Sequence, residues 1–140
     1  MKRFNLSKNV YYHVFNRGVS KMKIFKDDPD YKFFMLKISR LIVRDKMHIV
    51  RFCVMPNHFH FLLKNNHEAR LISSFMKSLQ LSYAKYFNCK YDHSGHVFQG
   101  NYNLVYIKSQ GDFERIKKYI FNNPVKAGLV KEPKDWRYSG

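Results

Sequence analysis

The sequence predicts an α+β fold of the ferredoxin-like split β-α-β type, with an antiparallel sheet, helices on one face and a further C-terminal helix. Two observations predict this class. Segments rich in β-branched and aromatic residues alternate with amphipathic helical segments in the order β-α-β-β-α-β, and a last helical segment follows. The 140 residues are also the length of one ordinary domain without linker composition, so we expect a single domain over residues 1–140.

The first predicted elements are a strand over residues 10–15 and a helix that begins at Asp28. The strand segment is β-branched and aromatic, and residues 16–18 follow it with the composition of a turn. His13 lies within this strand, where we expect a structural role. Asp28 and Pro29 predict the N-cap and the first position of the helix. Apolar residues then recur at helical spacing: Tyr31, Phe34, Met35, Ile38, Leu41 and Ile42.

The middle of the chain predicts an antiparallel hairpin followed by a second helix. Residues 48–55 and 58–63 are two β-rich segments, and Pro56 with Asn57 breaks the chain between them. Residues 68–88 then carry apolar side chains at helical spacing, which predicts a helix.

The C-terminal third predicts two short β segments and a last helix. The β segments cover residues 96–100 and 104–107. Ser109 and Asp112 have the spacing of a capping box, which predicts the start of a helix. We expect Pro124 to end this helix, because the residue before a proline is pushed out of helical geometry.

The charge balance favours a polyanionic partner. The chain has 26 Lys and Arg against 10 Asp and Glu, a formal net charge of +16. Such an excess is typical of nucleic-acid-binding proteins, because each neutralised phosphate releases counterions; a lysine bias that serves solubility is the alternative. Cys53 and Cys89 lack the spacing of a zinc motif, and no apolar run is long enough to span a membrane. We therefore expect reduced thiols, no membrane partner and a cytoplasmic location.

Two histidines in the second hairpin strand form a candidate metal site. Side chains alternate between the two faces of a strand, so His58 and His60 face one side while Phe59 faces the other. Two imidazoles on one face can bind one divalent cation. The pattern alone is not specific, since alternate histidines also occur by chance in many sheets.

Tyr119 and Asn123 are a second candidate pair, in the last predicted helix. They lie four residues apart and therefore share one face near the C-terminal end of the helix. An amide oxygen is a suitable ligand for Mg²⁺ or Mn²⁺, and a tyrosine can be a nucleophile. The structural alternative is a packed helix tyrosine and an asparagine that precedes a helix-ending proline.

The chain resembles the single-tyrosine HUH transposases of bacterial insertion sequences, and most closely their REP-associated tyrosine transposase relatives. The resemblance runs nearly end to end and is carried by five blocks: YHVFNRG at 12–18, MPNHFH at 55–60, YAKYFN at 83–88, GHVFQG at 95–100 and YIFNNPVKAGLV at 119–130. One departure is visible, since Asn101 stands where this family usually has an arginine. The departure puts one DNA or structural contact in doubt.

The resemblance implies a DNA transposase that nicks and rejoins single strands. Tyr119 would be the nucleophile, and His58, His60 and Asn123 would bind Mg²⁺ or Mn²⁺. Attack on a DNA phosphate would give a 5′-phosphotyrosine and a free 3′-OH, from which strands can be rejoined without ATP. The implied partner is single-stranded DNA with hairpin ends.

Further contacts and the oligomeric state follow less directly from the resemblance. The candidate DNA contacts are Arg17, Lys85, Gln99 and Lys118. A single tyrosine holds one cleaved end at a time, which favours a homodimer, although REP-associated relatives can act as monomers.

Three other functions are compatible with parts of this pattern. The first is a domesticated, non-catalytic nucleic-acid-binding module of the same fold. The second is a structural zinc site that combines His58 and His60 with one or both of Cys53 and Cys89. The third is a replication initiator or relaxase, which shares the chemistry but fits the small size and the block after Asn123 less well.

Overall fold

The computed structural model describes residues 10–65 and 69–140. Its elements are β1 (Val10–Arg17), α1 (Asp28–Arg44), β2 (His48–Met55), β3 (His58–Asn65), α2 (Ala69–Lys90), β4 (Asn103–Tyr106) and α3 (Gln110–Lys126), with single 3₁₀ turns at Val19–Lys21 and Pro133–Asp135. The four strands form one sheet in the order β2-β3-β1-β4, and every pair is antiparallel. The predicted α+β class and its ferredoxin-like order are confirmed.

The main core lies between one face of the sheet and the helices α1 and α2. Val14, Phe59 and Phe61 are fully buried on this face, and Phe34 of α1 and Phe75 of α2 pack among them. The ring centroids of Phe34 and Phe59 are 5.2 Å apart. Burying aromatic side chains of this size is the largest favourable contribution to folding that the sheet offers.

The third helix packs on the opposite face of the sheet. Ile116 and Ile120 of α3 are buried against Cys53, Met55 and Leu62. The alternation of β3 therefore separates Phe59 and Phe61, which face α1 and α2, from His58 and His60, which share the face of Leu62. This second layer is what brings the last helix to the histidines.

The ends of two helices differ from the prediction. The N-cap of α1 is Asp27 and not Asp28, because the extended Asp27 accepts a 3.1 Å hydrogen bond from the backbone N–H of Asp30. The predicted cap of α3 is confirmed, since Ser109 accepts from the N–H of Asp112. The prediction that Pro124 ends α3 was wrong. The helix continues to Lys126, because burying Pro124 offsets the one hydrogen bond its ring nitrogen cannot donate.

The segment before β4 also differs from the prediction. Residues 96–100 do not form a strand; only Phe98 bridges to Gly18. Gly100 has a positive φ of 64°, which bends this segment around the end of β1. The next strand covers residues 103–106, one residue earlier than predicted. The second helix ends two residues later than predicted, and its predicted start at Glu68 lies outside the described residues.

The C-terminal residues extend the sheet beside β2. The backbone N–H of Phe52 donates to Gly140 and that of Val54 donates to Tyr138. The indole of Trp136 donates to the carbonyl of Val54 at 2.9 Å. Within residues 10–65 and 69–140, no helix is long and apolar enough to cross a membrane.

Candidate active site

The candidate site lies where β3 begins, on the face of the sheet that α3 covers. His58 follows the turn at Pro56 and Asn57, and it pairs with Arg17 at the end of β1. His60 pairs with Phe15 in the same register. The antiparallel pairing of β1 with β3 therefore places the end of β1 directly beside both histidines.

His58 is held between two asparagines. Its Nδ1 lies 2.7 Å from the Oδ1 of Asn57, and its Nε2 lies 3.1 Å from the Oδ1 of Asn123 on α3. The structure thus brings together His58 and Asn123, which are 65 residues apart in the chain. The spacing of Tyr119 and Asn123 on one helix face predicted that they would act at one place, but not which strand they would meet.

His60 is buried and has a partner that the sequence interpretation did not assign to the site. Its Nδ1 lies 3.0 Å from the Nε2 of His13, and the two rings stack at a centroid distance of 5.2 Å. The rings of His58 and His60 are 5.1 Å apart and nearly perpendicular. His13 therefore belongs to the site and not only to the sheet.

All three imidazoles are held in the neutral form. Burial, with smaller effects from His58 and His13, lowers the pKa of His60 to about 3. Burial and the charge of Arg115 lower the pKa of His13 to about 4. Burial also lowers the pKa of His58, although the nearby Oδ1 of Asn123, to which a protonated ring could donate, opposes the shift. Neutral rings keep the lone pair that a metal ligand needs.

The donor atoms around His58 fit a divalent cation. Asn57 Oδ1 can only accept, so Nδ1 of His58 carries the proton and Nε2 presents a lone pair toward the Oδ1 of Asn123, a second acceptor. A cation bound to the Nε2 of His58 and the Oδ1 of Asn123 would satisfy both acceptors. The alternative is a second proton on His58 that donates to Asn123, and burial disfavours such a doubly protonated ring. Neighbouring ligands of an octahedral ion with bonds of about 2.1 Å lie roughly 3 Å apart, which agrees with this separation.

The structure gives no support to the zinc alternative. Among the residues it describes, no three His, Cys, Asp or Glu side chains come together as a metal site. Cys89 is exposed on α2. Cys53 is buried among apolar side chains between the sheet and α3, and this burial raises the pKa of its thiol to about 12.

Tyr119 lies beside the histidines and is open to solvent. Its side chain is 42% exposed, and its ring meets that of His60 edge to face at a centroid distance of 5.4 Å. The ammonium group of Lys126 lies 6.0 Å from the centre of the same ring. The site therefore combines an accessible hydroxyl-bearing ring, neutral imidazoles and a nearby cation.

A cleft of about 550 Å³ opens in front of Tyr119 and the two histidines. Polar side chains provide most of its wall. Its lining residues are Phe15, Asn16, Arg17, Lys21, Asn57, His58, His60, Gln99, Asn101, Asn103 and Tyr119. Asn101, the position that departs from the resembled family, therefore faces the cleft.

The four predicted DNA contacts separate into two groups. Arg17 and Gln99 both line the cleft, and the Nε of Arg17 donates to the Oε1 of Gln99 at 2.6 Å. Lys85 is exposed on α2, in the layer on the other side of the sheet. Lys118 lines a different cavity beside α3. Of the four residues, Arg17 and Gln99 are therefore the two that the structure places in the same cleft as Tyr119.

The comparisons with known proteins agree on one family. The family model described as "Transposase IS200 like" matches residues 6–123 of this chain. A protein of Haemophilus influenzae named "Putative REP-associated tyrosine transposase" is 32% identical over 101 residues, which cover 64% of this chain. The match spans 56% of that relative, so the chain corresponds to a little over half of its length.

Two solved structures share the fold. A REP-associated tyrosine transposase bound to a REP hairpin superposes with a TM-score of 0.75 at 20% identity, covering 99% of this chain and 80% of the other. A crystal structure of a "putative transposase" from Deinococcus radiodurans superposes with a TM-score of 0.59 at 19% identity, covering 87% of this chain and 97% of the other. At these identities the two structures establish a common fold.

Proposed function

This chain belongs to the IS200-like transposase family, and on that premise we propose that it nicks single-stranded DNA and rejoins it through a covalent bond to Tyr119. The observation that carries the proposal is the position of Tyr119. Its exposed ring lies next to His60 in a cleft that His58 also lines, and the Oδ1 of Asn123 lies 3.1 Å from the Nε2 of His58. The proposed nucleophile therefore lies beside the proposed ligands of a cation that would polarise the phosphate.

In the proposed step the hydroxyl oxygen of Tyr119 attacks a DNA phosphorus. An O–P bond forms to Tyr119, and the bond from phosphorus to the 3′ oxygen breaks with its electron pair, which leaves a free 3′-OH after protonation. The phenolic proton leaves to solvent, to which the ring is open. Attack by a 3′-OH reverses the step and joins strands.

His58, His60 and Asn123 would hold a Mg²⁺ or Mn²⁺ ion. When bound, such an ion polarises the phosphate and stabilises the charge that develops on its oxygens. Asn57 fixes the protonation of His58, and His13 contacts the ring nitrogen of His60 that faces away from the cleft. These two contacts orient the ligands before any ion binds.

Single-stranded DNA with hairpin ends is the proposed substrate. Arg17 and Gln99 present a guanidinium and an amide to the cleft beside Tyr119, and Lys21 adds a second cation there. Groups of this kind bind phosphates and base edges. The hairpin is proposed by analogy with the solved relative that binds a REP hairpin. Each protomer would hold one cleaved end, so joining two ends requires two protomers or two successive rounds.

The test is covalent capture of DNA. We expect a strand labelled at its 3′ end to form a denaturant-stable adduct with Mg²⁺ or Mn²⁺, and a strand labelled at its 5′ end to be shortened without becoming attached. Tyr119→Phe should abolish the adduct. Tyr106→Phe, which changes another exposed tyrosine outside the cleft, should keep it.

Two results would contradict the proposal. A Tyr119→Phe variant that still forms the adduct would remove the nucleophile from this helix. Strand binding without any adduct, across hairpin substrates that include the DNA flanking the gene, would instead support the non-catalytic binding module.

A further inference from the structure

A second concave site lies between α3 and β2 and shares no lining residue with the cleft. Its volume is about 460 Å³. We call it the Arg51 pocket, after the strand residue at its base. It is lined by Arg51, Glu114, Arg115, Lys117, Lys118 and Phe121.

The charges of the Arg51 pocket are not balanced. Four of its six lining residues are cationic and one is acidic. The carboxylate of Glu114 already accepts from the amide of Gln110, and Arg115 forms only a 3.5 Å ion pair with Asp112. In the part of the chain that the structure describes, no salt bridge involves Arg51, Lys117 or Lys118. This excess of cationic over acidic side chains favours an anionic ligand.

Arg51 is held in place, unlike a freely solvated surface arginine. It lies on the strand face that α3 covers, paired with Leu62 of β3. Its guanidinium carbon is 5.0 Å from the centre of the Phe121 ring. Its Nε is buried and has no hydrogen-bond partner within residues 10–65 and 69–140. An ordered guanidinium that stacks on a ring and has no carboxylate partner is well suited to bind a phosphate.

We propose that the Arg51 pocket binds a phosphodiester of the same DNA strand that enters the cleft. This inference rests on the proposed function in taking DNA as the ligand. Lys118 directly precedes Tyr119 in the chain, so the pocket and the nucleophile are carried by the same helix. Phe121 exposes 39% of its side chain, and such a ring gives a base a surface on which to stack. We favour a DNA strand over free phosphate as the ligand, because a strand would contact the cations through its phosphates and the Phe121 ring through a base.

The test compares two triple variants that remove the same charge. The pocket variant is Arg51→Gln with Lys117→Gln and Lys118→Gln. The control is Arg40→Gln with Lys46→Gln and Lys77→Gln, which removes one arginine and two lysines on the helical side of the sheet. The probe is a labelled thymidine strand of about 20 nucleotides, long enough to reach both sites, and affinity is measured by fluorescence anisotropy across a salt series without divalent metal.

We expect the pocket variant to lose about tenfold in affinity at low salt. The slope of log affinity against log salt should fall by about 2, because each phosphate contact on a single strand contributes about 0.7. The loss of affinity in the control variant should be less than a third of the loss in the pocket variant. If the triple variant does not fold, Lys117→Gln with Lys118→Gln replaces it, with an expected change in slope of about 1.4.

The outcomes separate this inference from the proposed function. Equal losses in the pocket and control variants, with an adduct still formed at Tyr119, would overturn the Arg51 pocket alone. No binding of the strand by the wild-type protein would overturn both. The last experiment uses inorganic phosphate as the ligand and measures its binding by calorimetry. If phosphate saturates the pocket and the pocket variant binds the strand as tightly as the wild-type protein, the site binds free phosphate. The assignment of a DNA strand would then be wrong.

Discussion

His13 on β1 and His60 on β3 are joined through a 3.0 Å contact between Nε2 and Nδ1 in the buried face of the sheet. Both rings are held neutral, so only one of the two nitrogens carries the shared proton. If His60 donates, its Nε2 keeps a lone pair for a metal; if His13 donates, that Nε2 is protonated and cannot bind one. Metal binding at His60 therefore requires His13 to be the acceptor.

His13→Phe is predicted to weaken metal binding without unfolding the protein. Phenylalanine fills a similar buried volume but cannot accept the proton of His60, so the productive tautomer is no longer selected. Loss of such an outer contact typically reduces metal affinity by about 10- to 100-fold. The dissociation constant for Mn²⁺, measured by electron paramagnetic resonance of the free ion, should rise by this factor.

The matched variant for this position is His13→Gln. Its amide oxygen can accept from Nδ1 of His60, so it should restore part of the Mn²⁺ affinity at a similar melting temperature. If the role of His13 were purely structural, the Mn²⁺ affinity would instead change in parallel with the melting temperature in both variants.

Asn101→Arg is predicted to strengthen binding of single-stranded DNA. Asn101 lines the cleft at the position where the resembled family usually has an arginine. A guanidinium there adds one phosphate contact, which should raise affinity and steepen the salt slope by about 0.7. Ser73→Arg adds the same charge on exposed α2 and is the control. Equal gains in the two variants would show that only net charge changed.

The Asp30 carboxylate is predicted to make stability depend on pH in the acidic range. Burial alone would raise its pKa, but hydrogen bonds from Lys90, Tyr91 and other donors lower it to about 2. A carboxyl with a lowered folded-state pKa stabilises the fold above its ordinary pKa of about 3.9, and this contribution is lost as pH falls toward 2. The free energy of unfolding, measured in urea, should therefore decrease between about pH 4 and pH 2.

Asp30→Asn is the variant that isolates this effect. It removes the charge that Lys90 approaches at 2.8 Å and should cost about 3 kcal/mol at pH 7. The loss should shrink as the pH falls toward 2, where the wild-type carboxyl begins to be protonated in the folded state. Asp92→Asn, at an exposed turn, should change little at either pH. A loss for Asp30→Asn that is constant with pH would contradict the assignment.

The sequence predicted the strands and helices because their signals are local. The alternation around His58 and the helical spacing of Tyr119 and Asn123 depend only on neighbouring residues. The partnership of His13 with His60 depends on the register between β1 and β3, which no local pattern contains. The prediction that Pro124 ends α3 failed for a related reason, since burial of that ring outweighs a local preference. The parts that could not be predicted are those that tertiary packing decides.

Gly18→Ala and Gly111→Ala are predicted to have opposite effects on stability. A Cβ at Gly18 would lie 2.2 Å from the backbone oxygen of Met22, while the N–H of Gly18 donates to Asn57 beside His58. The added methyl must displace the backbone at Met22, in the segment whose Ile24 N–H donates to Pro56 in the turn before His58, so we expect a loss of about 2 kcal/mol and weaker Mn²⁺ binding. A Cβ at Gly111, in the first turn of α3, meets nothing closer than 3.9 Å, and alanine there should stabilise by about 0.5–1 kcal/mol. Melting temperatures that fall for Gly18→Ala and rise for Gly111→Ala would show that the backbone at Met22 leaves no room for a side chain at Gly18. Equal shifts in the two variants would contradict this explanation.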